Sequence, residues 1–155
     1  MTVRIRTCIT IDAPPAAVWS HVERIDGHVE WMRDAKSIRF RSRRHAGVGT
    51  EFECVTGVGP LVTTDLLVVT EWRPRRAIGI SHHGAVRGRG RFTLSRRRGR
   101  RTRFCWRERL RFPWWMGGPL GELLGWPVLR MIWKGNLRRL KALVERGYQH
   151  ASTIS

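Results

Sequence analysis

At 155 residues the chain suits a single domain, large enough to bury roughly two-thirds of its unfolded surface around one core. It carries 30 Lys plus Arg against 12 Asp plus Glu, a formal net charge of +18; only Lys36, Lys134 and Lys141 are lysines, so 27 of the cations are arginines. No apolar run approaches the roughly 20 residues of a membrane span, and the opening MTVRIRTCITIDAPP lacks the unbroken apolar segment of a signal peptide, so a cytoplasmic protein is expected. Cys8, Cys54 and Cys105 are odd in number, widely spaced and without a CxxC. They read as small buried or half-buried hydrophobes rather than a disulfide framework or a zinc site. The arginine excess has two readings, an anion-binding surface or a default surface cation, and its spread over the whole chain favours the second.

In chain order, Val3, Ile5, Ile9 and Ile11 alternate with Arg4, Arg6, Cys8 and Thr10, the period of a half-buried first strand. Asp12-Ala13-Pro14-Pro15 then opens a short helix whose inner face is Val18, Trp19, Val22 and Ile25 and which Gly27 ends. A second short helix or turn holds Val29, Trp31 and Met32. From there to Phe112 no helical period appears and turn signals recur, which predicts strands near 36-43, 50-56, 61-72, 76-83, 85-96 and 101-112 in an antiparallel meander. Last comes a helix from Pro119 to Arg146, with Gly147 as its stop and 149-155 as a disordered tail. Pro119 suits its first position and Glu122 its first turn, while Pro127 predicts a kink or a short leading helix. Trp126, Leu129, Trp133, Leu137, Leu140 and Val144 form its apolar stripe. The expected fold is α+β, with a seven-stranded curved antiparallel sheet wrapped around a long C-terminal helix and two short helices after the first strand.

Particular stretches carry a resemblance. Ile11-Asp12-Ala13-Pro14-Pro15-Ala16-Ala17-Val18-Trp19, the later Trp31, Gly47-Val48-Gly49-Thr50, Glu71-Trp72-Arg73-Pro74, Thr102-Arg103 and Asn136-Leu137 with Leu140 follow one another along the chain. In these the sequence, over residues 1-148, resembles the START-like (SRPBCC) superfamily: helix-grip folds of the polyketide cyclase/dehydrase and lipid-transport type. The resemblance implies a hydrophobic cavity between sheet and terminal helix. It does not choose a function, because members include aromatase/cyclases, quinone or lipid carriers, hormone receptors and allergens.

Strand alternation indicates which residues would line such a cavity. In the last strand Phe104, Trp106, Leu110 and Phe112 share one face with a carboxyl group, Glu108, while Arg103, Arg107, Arg109 and Arg111 share the other. A carboxylate on an apolar face needs solvent, a donor or a shifted pKa. Before it, Val86, Gly88, Gly90, Phe92 and Leu94 face inward, and two glycines there leave space. His82 follows Ile78 and Ile80 on the inner face of the preceding strand, and Asp65 and Thr64 are further wall candidates. Glu108 and His82 are the candidates for proton transfer, but strand spacings put their backbones roughly 12 to 17 Å apart, which argues against a direct dyad. The ligand-binding candidates are thus Trp106, Glu108, His82, Gly88, Gly90, Phe92 and Phe104, joined by Trp126, Leu129 and Trp133 of the helix. Trp114 and Trp115, in a glycine-hinged loop, complete the set as a plug, a gate or an interfacial anchor.

No GxxxxGK[ST], GxSxG or HExxH occurs and the histidines lack ligand spacing, so no metal or cofactor is expected. The favoured function is binding of an apolar or aromatic small molecule such as a polyketide, quinone, isoprenoid or lipid, with a transient contact to an anionic membrane surface as an added reading. The alternative is a polyketide aromatase/cyclase using Glu108 or His82. The second alternative, nucleic-acid binding through the outward arginines of 85-96 and 101-112, is weakened by the lack of aromatic residues on those faces for base stacking. The oligomeric state is not specified by the sequence.

Overall fold

A computed structural model of the chain describes residues 2–154, apart from the side chains of residues 118–120, 122 and 124; the expected parts of Pro119 and Glu122 in starting the last helix lie outside the described side chains. The elements run β1 (Val3–Ile11), α1 (Pro15–Val22), a 3-10 turn (Ile25–Glu30), β2 (Ala35–Phe40), β3 (Glu51–Val58) and β4 (Leu61–Arg73). They continue as β5 (Ala77–His83), β6 (Arg87–Arg97), β7 (Arg101–Arg111), a second 3-10 turn (Trp114–Met116) and α2 (Gly118–Ile154). All seven strands form one antiparallel sheet in the order β1-β7-β6-β5-β4-β3-β2, curved around α2 in the expected helix-grip arrangement.

The inner face holds the core. Trp133, Leu137, Leu140 and Val144 of α2 are buried with Ile5 and Ile11 of β1 and with Val18 and Val22 of α1. Trp31 is packed against Phe92, Phe104 and Trp106 with ring centroids 5.9, 6.5 and 6.2 Å away. A buried polar joint fastens α2 to the segment after the first 3-10 turn. The fully buried Asn136 accepts from the Arg33 backbone N–H at 3.1 Å and from Arg139, and donates to Asp34 at 2.6 Å. Arg139 in turn donates to the Trp31 carbonyl at 3.0 Å. Each buried polar group of the joint thereby gains a partner.

The outer face of three neighbouring strands is rich in arginine. Arg4 of β1 stands opposite Arg109 of β7, which stands opposite Arg89 of β6; Arg6, Arg107 and Arg91 form the next row, and Arg87 faces Arg111. Like charges directly opposite one another destabilise a ladder. Relief comes at Arg91, whose guanidinium grips Glu71 at 2.7 and 2.9 Å and holds that carboxyl below the usual range.

Four expectations are corrected. Cys8 and Cys105, placed opposite each other in the β1–β7 register, are joined as a disulfide, leaving Cys54 free. Widely spaced cysteines say nothing of strand partners, and here the first and last strands are neighbours. The helix does not stop at Gly147, and the expected tail is helical to Ile154. Tyr148 packs on the core just beyond that glycine, and Ser152 and Thr153 donate back to carbonyls one turn earlier. Of the two forms expected at Pro127, a kink or a short leading helix, the separate leading helix is absent, because one continuous helix passes through that residue. A proline there removes a single helical hydrogen bond. Trp126 leaves the buried stripe: it is 39 % exposed, and its indole N–H reaches the Arg4 carbonyl at 3.3 Å.

Candidate functional site

The sheet's inner face and α2 do not fully close on each other. Between them lies a cavity of about 140 Å³. Ile78, Ile80 and His82 of β5, Gly90 and Phe92 of β6 and Trp106, Glu108 and Leu110 of β7 form one wall. Leu129 and Trp133 of α2 form another, with Trp133 stacked on Trp106 at 4.6 Å between ring centroids. A second cavity of about 160 Å³ adjoins it toward the start of α2, sharing Thr56, Thr63, Val86, Phe112 and Leu129. Taken together they reach the low end of small-molecule pockets, roughly 300 to 1,000 Å³.

Two polar groups of the first cavity, Trp106 and His82, meet at Glu108, which is 5 % exposed. Trp106, two residues back on the same face, donates its indole N–H to Glu108 Oε1 at 2.9 Å. His82 Nε2 lies 3.4 Å from Glu108 Oε2, close enough for a charge contact but without hydrogen-bond alignment, so both atoms are buried without a hydrogen-bond partner. The two residues are therefore a direct pair, contrary to the expectation. The register is near the expected one, with His82 opposite Gly88 and Glu108 opposite Gly90. What the backbone distance missed is the absence of side chains between them. A Cβ on Gly90 would stand 2.3 Å from Glu108 Oε1 and 2.6 Å from Oε2, so the carboxyl lies over the space that glycine leaves.

Asp65 offers a contrast on the same wall. It is equally buried, yet Oδ1 accepts the Val86 backbone N–H at 3.1 Å and Oδ2 accepts the Thr63 hydroxyl at 3.0 Å. Both oxygens are engaged: Oδ1 ties the β5–β6 connection to β4, and Oδ2 is occupied within β4 itself. Thr64 points away and is exposed. His28 carries no signal in the sequence, yet it lines the cavity beside Phe92, with ring centroids 5.8 Å apart. Its Nε2 lies 2.7 Å from the Val22 carbonyl, which assigns the proton of the neutral ring to that nitrogen, and burial pushes its pKa down to about 4. Cys54 and Thr56 of β3 also line the wall, and burial pushes the Cys54 thiol up. Extending the alternation Phe52, Cys54, Thr56 would have found them; His28, in an irregular turn, offers no such period.

Of the other candidates, Phe104 is wholly buried behind the wall. Gly88 is not part of the wall: a Cβ there would lie 1.9 Å from the Arg109 carbonyl oxygen, so this glycine admits a neighbouring backbone. Trp126 lines the second cavity alone. Trp114 and Trp115 line neither cavity and are 85 % and 54 % exposed, so the plug reading is wrong. A three-residue 3-10 turn after Pro113 holds them out from the body. Among the described residues no three His, Cys, Asp or Glu side chains converge as a metal site would, and no helix is long and apolar enough to cross a membrane.

Comparison with known proteins agrees with this architecture. A protein of Thermus thermophilus superposes with a TM-score of 0.81 at 18 % identity, covering 94 % of this chain and 99 % of that one. The Zhui aromatase/cyclase of Streptomyces sp. R1128 gives 0.79 at 14 % identity, over 94 % and 95 % of the two chains. A protein of Deinococcus radiodurans gives 0.71 at 17 % identity, over 94 % and 98 %. At such identities the likeness is one of fold, and no curated protein matches in sequence. The family described as polyketide cyclase / dehydrase and lipid transport matches residues 2–145, nearly the whole chain, and the protein belongs to that family.

Proposed function

We propose that the chain binds a largely apolar, ring-sized molecule in the cavity between sheet and α2, and recognises one hydroxyl or carbonyl group on it through Glu108 and His82. The observation that supports this reading is the Glu108–His82 pair: two buried polar atoms, 3.4 Å apart and without hydrogen-bond partners, on a wall with Ile78, Ile80, Phe92 and Leu110 and facing Trp133 of α2. A ligand hydroxyl between them would donate to Glu108 Oε2 and accept from His82, meeting both needs at once. The rest of such a ligand would rest on Trp106 and Trp133, apolar surfaces that give affinity without direction.

Calorimetry with 1-naphthol and with naphthalene tests this. Glu108→Leu should weaken 1-naphthol by about tenfold, the size of one buried hydrogen bond, and leave naphthalene unchanged or tighter. Equal losses for both probes, or none for either, would sink the proposal.

The same pair favours a second reading, an aromatase/cyclase. In an intramolecular aldol closure one group must remove a proton from the carbon between two carbonyls while another supplies a proton to the carbonyl oxygen under attack. The new C–C bond closes the ring, and the resulting hydroxyl then leaves as water with a proton from the neighbouring carbon, which forms a C=C bond in the ring. Adjacent Glu108 and His82 could divide those two transfers. A linear poly-β-ketoacyl thioester should then cyclise with wild type and not with Glu108→Gln, which still binds it; equal rates in both proteins dismiss this version.

A further inference from the structure

The chain's exposed large apolar side chains are not scattered. Among the described residues eleven are exposed, and eight of them gather at one end of the fold. Leu61 and Val62 stand on the tip of the β3–β4 hairpin, 46 % and 63 % exposed. Trp114 and Trp115 stand on the second 3-10 turn, and Leu123 and Met131, 68 % and 67 % exposed, lie on the outer side of α2, with Trp126 and Val128 beside them. The register explains why these distant segments meet: the ends of β3, β5 and β7 and the beginnings of β1, β4 and β6 all lie at that end of the antiparallel sheet. The Trp126 indole, bonded to the Arg4 carbonyl, fixes the start of α2 there too. A monomer in water gains nothing from such a concentration, which is the mark of a contact surface.

What surrounds these residues identifies the partner. Arg4 and Arg111 lie at the strand ends beneath the apolar tips, each facing a further arginine, Arg109 or Arg87. On α2, Arg130 rests over the Trp126 ring at 5.2 Å, next to Met131, with Lys134 one turn on. From Pro113 to Lys134 the sequence holds one carboxylate, Glu122. Aromatic and aliphatic tips ringed by guanidinium groups match the acyl boundary and phosphate layer of an anionic membrane, where tryptophan and arginine each find a suitable depth. A second copy of this chain fits less well, because it would bring one cationic rim against another. Bases of a nucleic acid would need aromatic platforms within the arginine rows, and those rows have none.

We infer that this end of the molecule, formed by the β3–β4 tip, the Trp114–Met116 turn and the outer side of α2, docks on anionic lipid surfaces. The second cavity is lined by Leu61, Met116, Gly121 and Trp126 of the same segments, so docking would set that cavity against the bilayer. The inference does not depend on which molecule the Glu108 cavity takes.

Flotation of the purified chain with phosphatidylcholine vesicles, with and without phosphatidylglycerol, tests it at about 0.1 M salt. The chain should float with the anionic vesicles and much less with the neutral ones. Trp114→Ala/Trp115→Ala should reduce that binding at least about tenfold, the loss of roughly 1.4 kcal/mol of insertion, with the melting temperature and 1-naphthol affinity unchanged. Val62→Ser/Met131→Ser provides an independent variant on two other elements and should act in the same direction. No flotation with anionic vesicles overturns the inference. So does flotation that both double variants leave intact, which would show charge attraction alone. A change from dimer to monomer in the tryptophan variant, without a change in flotation, would assign the surface to a second copy.

Discussion

The two ends of α2 face the same sheet and end differently. Toward its C-terminus Leu137, Leu140 and Val144 are at most 1 % exposed, and neighbouring side chains from β1 and α1 fill the space they leave. Toward its N-terminus Leu129 is half-buried over two cavities, and Leu123, Trp126 and Val128 stand partly or largely in the open. One helix thus acts as a core element over half its length and as a cavity wall over the other half. The sheet decides which: bulky Phe104 meets Trp31 behind the wall, whereas Gly90 and the unfilled span beside it leave the open end hollow.

Truncation breaks the comparison most directly. Leu140→Ala should cost about 4 kcal/mol in urea unfolding, since a wholly buried leucine leaves a cavity, whereas Leu123→Ala at the open end should stay within about 0.5 kcal/mol. Similar losses at the two sites would show that the ends are not mechanically distinct.

Acid comes next in size and acts through His28, which lines the cavity beside Phe92. Burial holds its folded-state pKa near 4 against an ordinary 6.5, so the folded form keeps it neutral. Above pH 6.5 both states are neutral at this site and no proton is exchanged on folding. As pH falls from about 6.5 toward 4 the unfolded chain takes up a proton that the folded chain refuses, and stability is lost by about 3 kcal/mol. Urea midpoints measured across that range for wild type and His28→Gln should diverge at neutral pH and converge toward acid. Parallel curves would remove His28 as the cause.

A modest expected change in stability at Gly90 has the sharpest local consequence. Gly90→Ala puts a methyl group into the Glu108 carboxyl, a flexible group that can move aside, so stability should shift by no more than about 1 kcal/mol. The carboxyl would then no longer sit beside His82, and 1-naphthol binding should fall as in Glu108→Leu. Retained binding would show that the pair's present spacing is not what the ligand reads.

The fold was legible because its signals are local. Alternation in Val3–Ile11 and 101-112, a proline-led first helix and the stripe of the last helix each reflect burial on one face, and their order leaves few architectures. The site was legible by face and not by reach. Trp106, Glu108, His82, Gly90 and Phe92 are on the inner side as alternation indicated, but only the glycine's missing Cβ tells how far Glu108 can lean. The Cys8–Cys105 bond and the surroundings of His28 depend on which distant strands become neighbours, and no local period encodes that.

The arginine rows on the convex side have a consequence for the solution conditions this protein prefers. Most surface charge in proteins is mixed in sign, and dissolved salt weakens its attractions along with its repulsions. Here Arg4, Arg109 and Arg89, then Arg6, Arg107 and Arg91, are held a strand's width apart by the backbone, with Glu71 balancing one of them. Small ions shorten the reach of that repulsion, to about 10 Å at 0.1 M and about 3 Å at 1 M, and multivalent anions can sit directly between the guanidinium groups. The sheet should therefore be tighter in concentrated sulfate or phosphate than in dilute buffer. In this chain ionic strength acts as a structural component.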